Sequence, residues 1–326
     1  MDAQVGRQTL FPRIEPYANG MLSLGGGHEM YWEQSGNPDG ISVVFLHGGP
    51  GAGANPAHRR FFDPRFYRIV IFDQRGAGRS IPASDLTDNT TGHLIGDVEA
   101  LRRHLNIDRW LVFGGSWGST LALSYGIKHP ERCTGFILRG IFLGDTTELD
   151  WFVHGIRNVY PEAWKEFTGF LPETDRGDIV GAYLRRLTAP DPSVHLPAAE
   201  AWNRYEGSCS MLMVDFDQTR PPNANGNANA QALALARIEA HYFKNGMFLE
   251  DGYLLDNIAA VRDHPAVIVQ GRYDMICPIV TADKLAAAWP GADYVIVPNA
   301  GHSAMEPGIR DALVKATEDL KLHLTG

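Results

Sequence analysis

Short apolar, β-branched runs recur along this chain and alternate with stretches of helical spacing. Ile41–Leu46, Tyr67–Phe72, 110–113 and 133–138 are such runs in the first half. Residues 266–270 and 293–298 repeat the pattern near the end. Runs this short and this apolar predict strands buried on both faces. Residues 90–105 and 281–289 carry the helical period, as does a last helix reaching about residue 324. Residues 21–34, with Gly25-Gly26-Gly27 in their middle, predict a hairpin. Strand, loop and helix in alternation predict an α/β fold with a mostly parallel central sheet covered on both faces.

Between residues 144 and 263 the texture changes. Strand-like runs stop, and aromatic-rich helical segments take over near 149–153, Ile179–Leu187, 199–205 and 230–243. The expected organisation is a sheet-bearing core from 1–143 and 264–326, with a helical cap inserted at 144–263. Within the cap, residues 221–229 are rich in Asn and Gly and predict a loop.

The chemistry concentrates at Gly114-Gly-Ser116-Trp-Gly118, which follows one buried run and precedes a helical one. A Gly-x-Ser-x-Gly turn between strand and helix is the nucleophile elbow of an α/β-hydrolase. A serine hydroxyl needs a base, and the base needs an orienting acid. In this fold the chain order is serine, acid, histidine, with functional groups at the carboxyl ends of strands. Asp274 follows the strand at 266–270, and His302 follows the one at 293–298 within a glycine-containing loop. They are the expected acid and base for Ser116. Two N–H donors are needed for the tetrahedral oxyanion. Trp117, after the nucleophile, and Gly49, in the His47-Gly-Gly-Pro-Gly51 loop, are the expected donors.

Composition narrows the alternatives. The chain has 326 residues and a net charge of −9, with no Lys/Arg-rich run, which argues against a nucleic-acid partner. Three separated cysteines cannot all pair and form no Cys-x-x-Cys, which suits a reducing compartment. No segment reaches the length of a membrane-spanning helix, and the first residues lack a signal-peptide core, so a cytoplasmic location is expected. His-Glu-x-x-His, zinc-spaced Cys/His and Gly-x-x-x-x-Gly-Lys are absent, so neither metal nor cofactor is expected.

The chain resembles the proline iminopeptidase family of serine exopeptidases. The resemblance rests on Ile14-Glu-Pro-Tyr17, His47-Gly-Gly-Pro-Gly-Ala-Gly53, Asp73-Gln-Arg-Gly-Ala-Gly-Arg-Ser80, Gly114-Gly-Ser-Trp-Gly-Ser-Thr-Leu121, Leu138-Arg-Gly-Ile-Phe142, Ala236-Arg-Ile-Glu-Ala-His-Tyr-Phe243, Gly271-Arg-Tyr-Asp-Met275 and Gly301-His302. It implies release of N-terminal proline from peptides, with Ser116, Asp274 and His302 as the triad and Gly49 and Trp117 as the oxyanion hole. It also implies that Glu206 and Glu239 bind the substrate's free amino group, and that Phe142 and Phe152 line the proline pocket. Tyr205 stands where that family commonly has Trp, and Phe152 where it commonly has Tyr. Residues 219–229 depart from its pattern. The alternative reading is a carboxylesterase or small-amide hydrolase that uses the same triad without recognising an amino terminus.

Overall fold

The computed structural model describes residues 9–213 and 226–324. In chain order its elements are β1 Ala18–Gly25, β2 His28–Gly36, β3 Ile41–Leu46, β4 Tyr67–Phe72, α1 Thr91–His104, β5 Trp110–Ser116, α2 Trp117–Lys128 and β6 Cys133–Ile141. Then come α3 Thr146–Val153, α4 Pro161–Gly169, α5 Ile179–Leu187, α6 Pro192–Cys209, α7 Gly226–Lys244 and α8 Tyr253–Asp256. The chain closes with β7 Ala266–Gly271, α9 Ile279–Ala288, β8 Ala292–Val297, α10 Pro307–Asp319 and α11 Lys321–Leu324. Short 3-10 turns join several of these, one of them at Pro56–Phe61.

The strands form one sheet in the order β1-β2-β4-β3-β5-β6-β7-β8. β1 and β2 form the hairpin, joined through Gly25, Gly26 and Gly27, all at positive φ, and β2 meets β4 antiparallel. Every other pairing is parallel. Burial follows position in the sheet. β5 and β7 lie in its interior and are buried almost throughout. β1 and β8 are the edges, where inward and outward side chains alternate. A run buried on both faces has no period-2 signal, which is why the central strands read as continuous apolar blocks.

Helices pack on both faces, and two apolar cores result. One joins Val44, Val112 and Leu138 to α1, α2 and the helices after β6. The other joins Ile69, Phe113 and Val269 to Ile309, Leu313 and Val314 of α10. Between β6 and β7 the described residues hold helices and turns but no strand. We treat this segment as the cap. α4 has no counterpart among the helices expected from sequence. The loop expected at 221–229 needs correction: α7 already begins at Gly226, while residues 221–225 lie outside the described residues. Low-complexity Asn and Gly lower the local helical signal, but the amphipathic run downstream extends the helix backward.

The elbow depends on backbone lying against backbone. A Cβ on Gly118 would stand 2.1 Å from Leu46 O, and one on Gly114 would stand 2.1 Å from Gly118 O. Neither obstacle is a movable side chain. Gly118→Ala is therefore expected to cost about 3 kcal/mol or more, because β3 and α2 must part. Gly96 in α1 is the control. It is exposed, and a Cβ added there would meet nothing within 4 Å, so Gly96→Ala should gain roughly 0.5–1 kcal/mol. Urea midpoints of the two variants check this; a Gly118→Ala protein as stable as wild type contradicts it.

Candidate active site

Ser116 ends β5 and immediately precedes α2, with φ +57° and ψ −131°. A side chain rarely adopts this backbone, and here the packing of Gly114 and Gly118 enforces it. The serine side chain is thereby presented above the carboxyl end of the sheet, on the wall of a cavity of about 300 Å³. The same cavity is lined by Gly48, Gly49, His58, Arg139, Glu206 and His302.

Asp274 lies just beyond β7 and is 2 % exposed. Its Oδ1 accepts from the N–H groups of Ile276 (3.1 Å) and Cys277 (2.8 Å), and its Oδ2 from the Gln270 side chain (3.1 Å). His302 Nδ1 lies 2.9 Å from Asp274 Oδ2 and 3.0 Å from Oδ1. Asp274 thus meets His302 at Nδ1, and Nε2 rests against Arg139. Gly140, at φ +55°, lets the chain pass this pair; a Cβ there would lie 3.0 Å from the His302 ring. The Cys277 thiol is buried against Ser116 and Asp274, and burial pushes its pKa well up.

The loop carrying Gly49 folds over the elbow. A Cβ on Gly48 would stand 3.3 Å from Ser116 Cβ. Gly49 itself has φ +109°, and a Cβ there would strike Gly51 N at 2.7 Å and Ala52 N at 2.8 Å. Gln74 ties this loop to the start of α2. Its side chain donates to His47 O (2.8 Å) and accepts from Trp117 Nε1 (2.8 Å), and its N–H donates to His47 Nε2 (2.9 Å). Both expected oxyanion donors therefore belong to segments fastened to one another beside Ser116. His47 and His58 are each held neutral by burial, His58 down at about 3.

Arg139 is a site residue that sequence reasoning misses. It projects from β6, beside Gly115 in the register, with its guanidinium laid over the Gly115 backbone. Nη1 donates to His302 O (2.8 Å) and lies 3.2 Å from His302 Nε2. Burial lowers its pKa, and among the described residues it has no ion-pair partner. The signal that could have found it is a lone arginine inside an otherwise apolar central strand.

Glu206 on α6 and Glu239 on α7 come together in the cap, their carboxyls in hydrogen-bonding contact. Glu239 is 3 % exposed, and its Oε2 accepts from Trp202 Nε1 at 2.5 Å. Among the described residues neither carboxylate has a Lys or Arg at ion-pair distance. Burial pushes Glu206 up to about 7. Burial, then the Glu206 charge, push Glu239 well above the carboxylate range. Two acids this close share a proton when nothing cationic lies between them.

Phe142 and Phe152 do not line the cavity that holds Ser116. They belong to an aromatic cluster behind the carboxylates. Phe142 packs on Phe243 at 6.3 Å, and Phe152 packs on Phe243 at 5.0 Å, Tyr205 at 5.3 Å and Trp202 at 5.9 Å. Tyr205 donates its hydroxyl to Phe152 O (2.6 Å). Among the described residues no group of three or more His, Cys, Asp or Glu side chains could hold a metal ion. No helix among them is long and apolar enough to cross a membrane.

Comparison with known proteins agrees with this architecture. Residues 41–308 match the model of the α/β hydrolase fold family. A proline iminopeptidase of Arabidopsis thaliana is 51% identical over 320 residues, covering 97% of this chain and 83% of that protein. A proline iminopeptidase of Xylella fastidiosa is 50% identical over 313 residues, covering 95% and 99%. Among solved structures, a Mycobacterium smegmatis proline iminopeptidase superposes with a TM-score of 0.61 at 20% identity, over 94% of this chain and 99% of that one. An esterase from Exiguobacterium antarcticum superposes at 0.60 with 18% identity, over 95% and 100%. At such identities the two structures bear on the fold alone. Identity near one half along almost the whole chain says more: this chain belongs to the proline iminopeptidase family, on the α/β-hydrolase fold.

Proposed function

We propose that this protein is a serine exopeptidase that releases N-terminal proline from peptides through an acyl-enzyme, and that it works in the cytoplasm, where its three buried thiols remain reduced. Ser116 Oγ attacks the proline carbonyl while His302 Nε2 takes its proton. Asp274 holds His302 in the tautomer with Nδ1 protonated and stabilises the imidazolium. The N–H groups of Gly49 and Trp117 receive the oxyanion. The imidazolium then protonates the departing peptide nitrogen, and water repeats the sequence on the acyl-enzyme. His302 Nε2 must leave Arg139 to meet Ser116 Oγ.

The observation that carries the exopeptidase reading is the pair Glu206 and Glu239, which has no Lys or Arg partner among the described residues. A simple esterase has no use for two apposed acids in its cap. A protonated secondary amine at the start of a peptide supplies the missing cation, and the shared proton leaves as it binds. An amine held by this pair sets the first residue against Ser116, which restricts cleavage to that residue.

Three outcomes are expected. Ser116→Ala should fold and melt like wild type, yet lose turnover on L-proline p-nitroanilide. In subtilisin the equivalent loss is about 10⁶-fold. Retained activity in pure Ser116→Ala would remove the serine from its role.

Glu206→Gln and Glu239→Gln should each lower kcat/KM for L-proline p-nitroanilide by about 10- to 150-fold, the equivalent of roughly 1.5–3 kcal/mol for a charge-assisted bond. Hydrolysis of p-nitrophenyl acetate, which has no amine, should be spared. Equal losses on both substrates would make the glutamates structural; no loss on either would favour the esterase reading. Stability should move the other way. Glu206 keeps its proton in the folded protein up to about pH 7, against an ordinary value of 4.5, so the stabilising contribution of that proton is present below pH 4.5 and lost as pH rises through 7. Glu206→Gln should therefore raise Tm at pH 8 and change it less at pH 5.

The pH profile follows from the same pair. KM for L-proline p-nitroanilide should fall as pH rises through about 7, as Glu206 ionises, and rise again once the substrate amine loses its proton. KM for p-nitrophenyl acetate should show neither limb. A KM for the proline substrate that stays low well above the amine's pKa contradicts recognition of the cation.

A further inference from the structure

The loop that carries His302 is fastened to the cap. The N–H groups of His302 and Ser303 both donate to Ser210 O, at 3.1 and 2.9 Å. Ser210 is the C-cap of α6, and its hydroxyl donates back to Glu206 O at 2.8 Å. Glu306, four residues beyond the base, is 6 % exposed. One of its oxygens accepts from Gly301 N, next to the base; the other accepts from Leu212 N, just past α6, at 2.6 Å. The two segments touch so closely that a Cβ on Gly301 would stand 2.9 Å from Leu212 N.

Ser116 and Asp274 are held differently. The first is fixed by the backbone packing of the elbow, the second by Gln270 on β7 and by its own turn. Of the three, only the base has its main-chain N–H bonded to the cap.

We infer that Glu306 is a positioning residue: its carboxylate clamps the base loop to the end of α6, so that His302 reaches Asp274 and Ser116 only with the cap seated. This rests on the reading of His302 as the base. The clamp needs a carboxylate. Both partners are N–H donors, so both oxygens must accept. An amide offers one acceptor and turns its NH₂ against the other N–H, leaving a buried donor unpaired. Loops joined by two such bonds slacken when one fails, and displacement of a catalytic group by about 1 Å can cost 10²-fold in rate. The segment ending in Ser210 also carries Glu206 one turn earlier, so a single stretch of chain holds both an amine-binding carboxylate and the support of the base.

The test compares Glu306→Gln and Leu212→Pro, which cut the clamp from its two sides. Leu212→Pro removes the cap's N–H and leaves the acid in place. Each is assayed on L-proline p-nitroanilide and on p-nitrophenyl acetate, with circular dichroism and thermal melting as a check of folding. The expected result is a folded protein whose kcat falls by about 10- to 100-fold on both substrates in parallel, while KM for the proline substrate stays near that of wild type. An undiminished kcat in folded Glu306→Gln overturns the inference. So does a loss confined to KM for the proline substrate, which would assign the clamp to the amine site. Loss of the fold in both variants also overturns it, by making the clamp a general structural tie. The exopeptidase reading fails by a different route, through Glu206→Gln impairing the ester as much as the proline substrate.

Discussion

Backbone pressed against backbone at Ser116 is the constraint around which the rest is arranged. Gly114 and Gly118 lie so near each other and Leu46 that no side chain fits between them, and the serine is left at φ +57°. The same crowding brings Gly48 to within contact of Ser116 and lays Arg139 over Gly115. Parallel pairing of β3, β5 and β6 puts the loops after these strands at one end of the sheet. The loop bearing Gly49, the elbow and Arg139 thus converge without any long excursion. Asp274 joins them from β7, through Gln270, whose amide bonds both Asp274 and, via its oxygen, Ile141 N. A rigid core of this kind holds reacting groups in place at no reorganisation cost during the reaction.

The cap answers to a different requirement. Hydrolysis by a serine triad needs a single carboxylate, and bringing two acids together in the cap costs stability. Glu206 and Glu239 are tolerated because α6 and α7 are packed by Trp202, Phe152, Phe167 and Tyr205, a cluster with little freedom to relax. Trp202 serves twice, as a core ring and as a donor to Glu239. In the proposed function the tasks are separate: the sheet sets the nucleophile and acid, and the helices set what is admitted. The base stands at the seam, with its ring on the core's Asp274 and its backbone on the cap's Ser210.

The fold could be read from the chain because its central strands are continuous apolar blocks, each followed by a glycine-bearing loop. Ser116, Asp274 and His302 each stand at or just past the end of one of these blocks, and that order and spacing single them out in the sequence. Arg139 and Glu306 escaped for a common reason. Their partners are 163 residues and 94 residues away along the chain, His302 for one and Leu212 for the other, and no local pattern encodes such a meeting. Gln74, which joins the Gly49 loop to Trp117, is a third case. Glu206 and Glu239 were legible only through family resemblance, since a glutamate on a helix ordinarily faces water. The place of Phe142 and Phe152 behind the carboxylates, rather than on the wall of the Ser116 cavity, depends on how α3, α6 and α7 pack, which side-chain chemistry alone does not dictate. The start of α7 inside the Asn-rich stretch shows tertiary context overriding weak local propensity.

The central claim is that the Glu206–Glu239 carboxylate pair in the cap selects substrates by their free amino terminus. Its most direct test is kcat/KM of the wild-type protein on L-proline p-nitroanilide against N-acetyl-L-proline p-nitroanilide at pH 8. Acetylation removes the cation and leaves the scissile bond and the ring in place. The account predicts a large preference for the free amine, at least 100-fold if the carboxylates supply about 3 kcal/mol. Equal rates on the two anilides would contradict it.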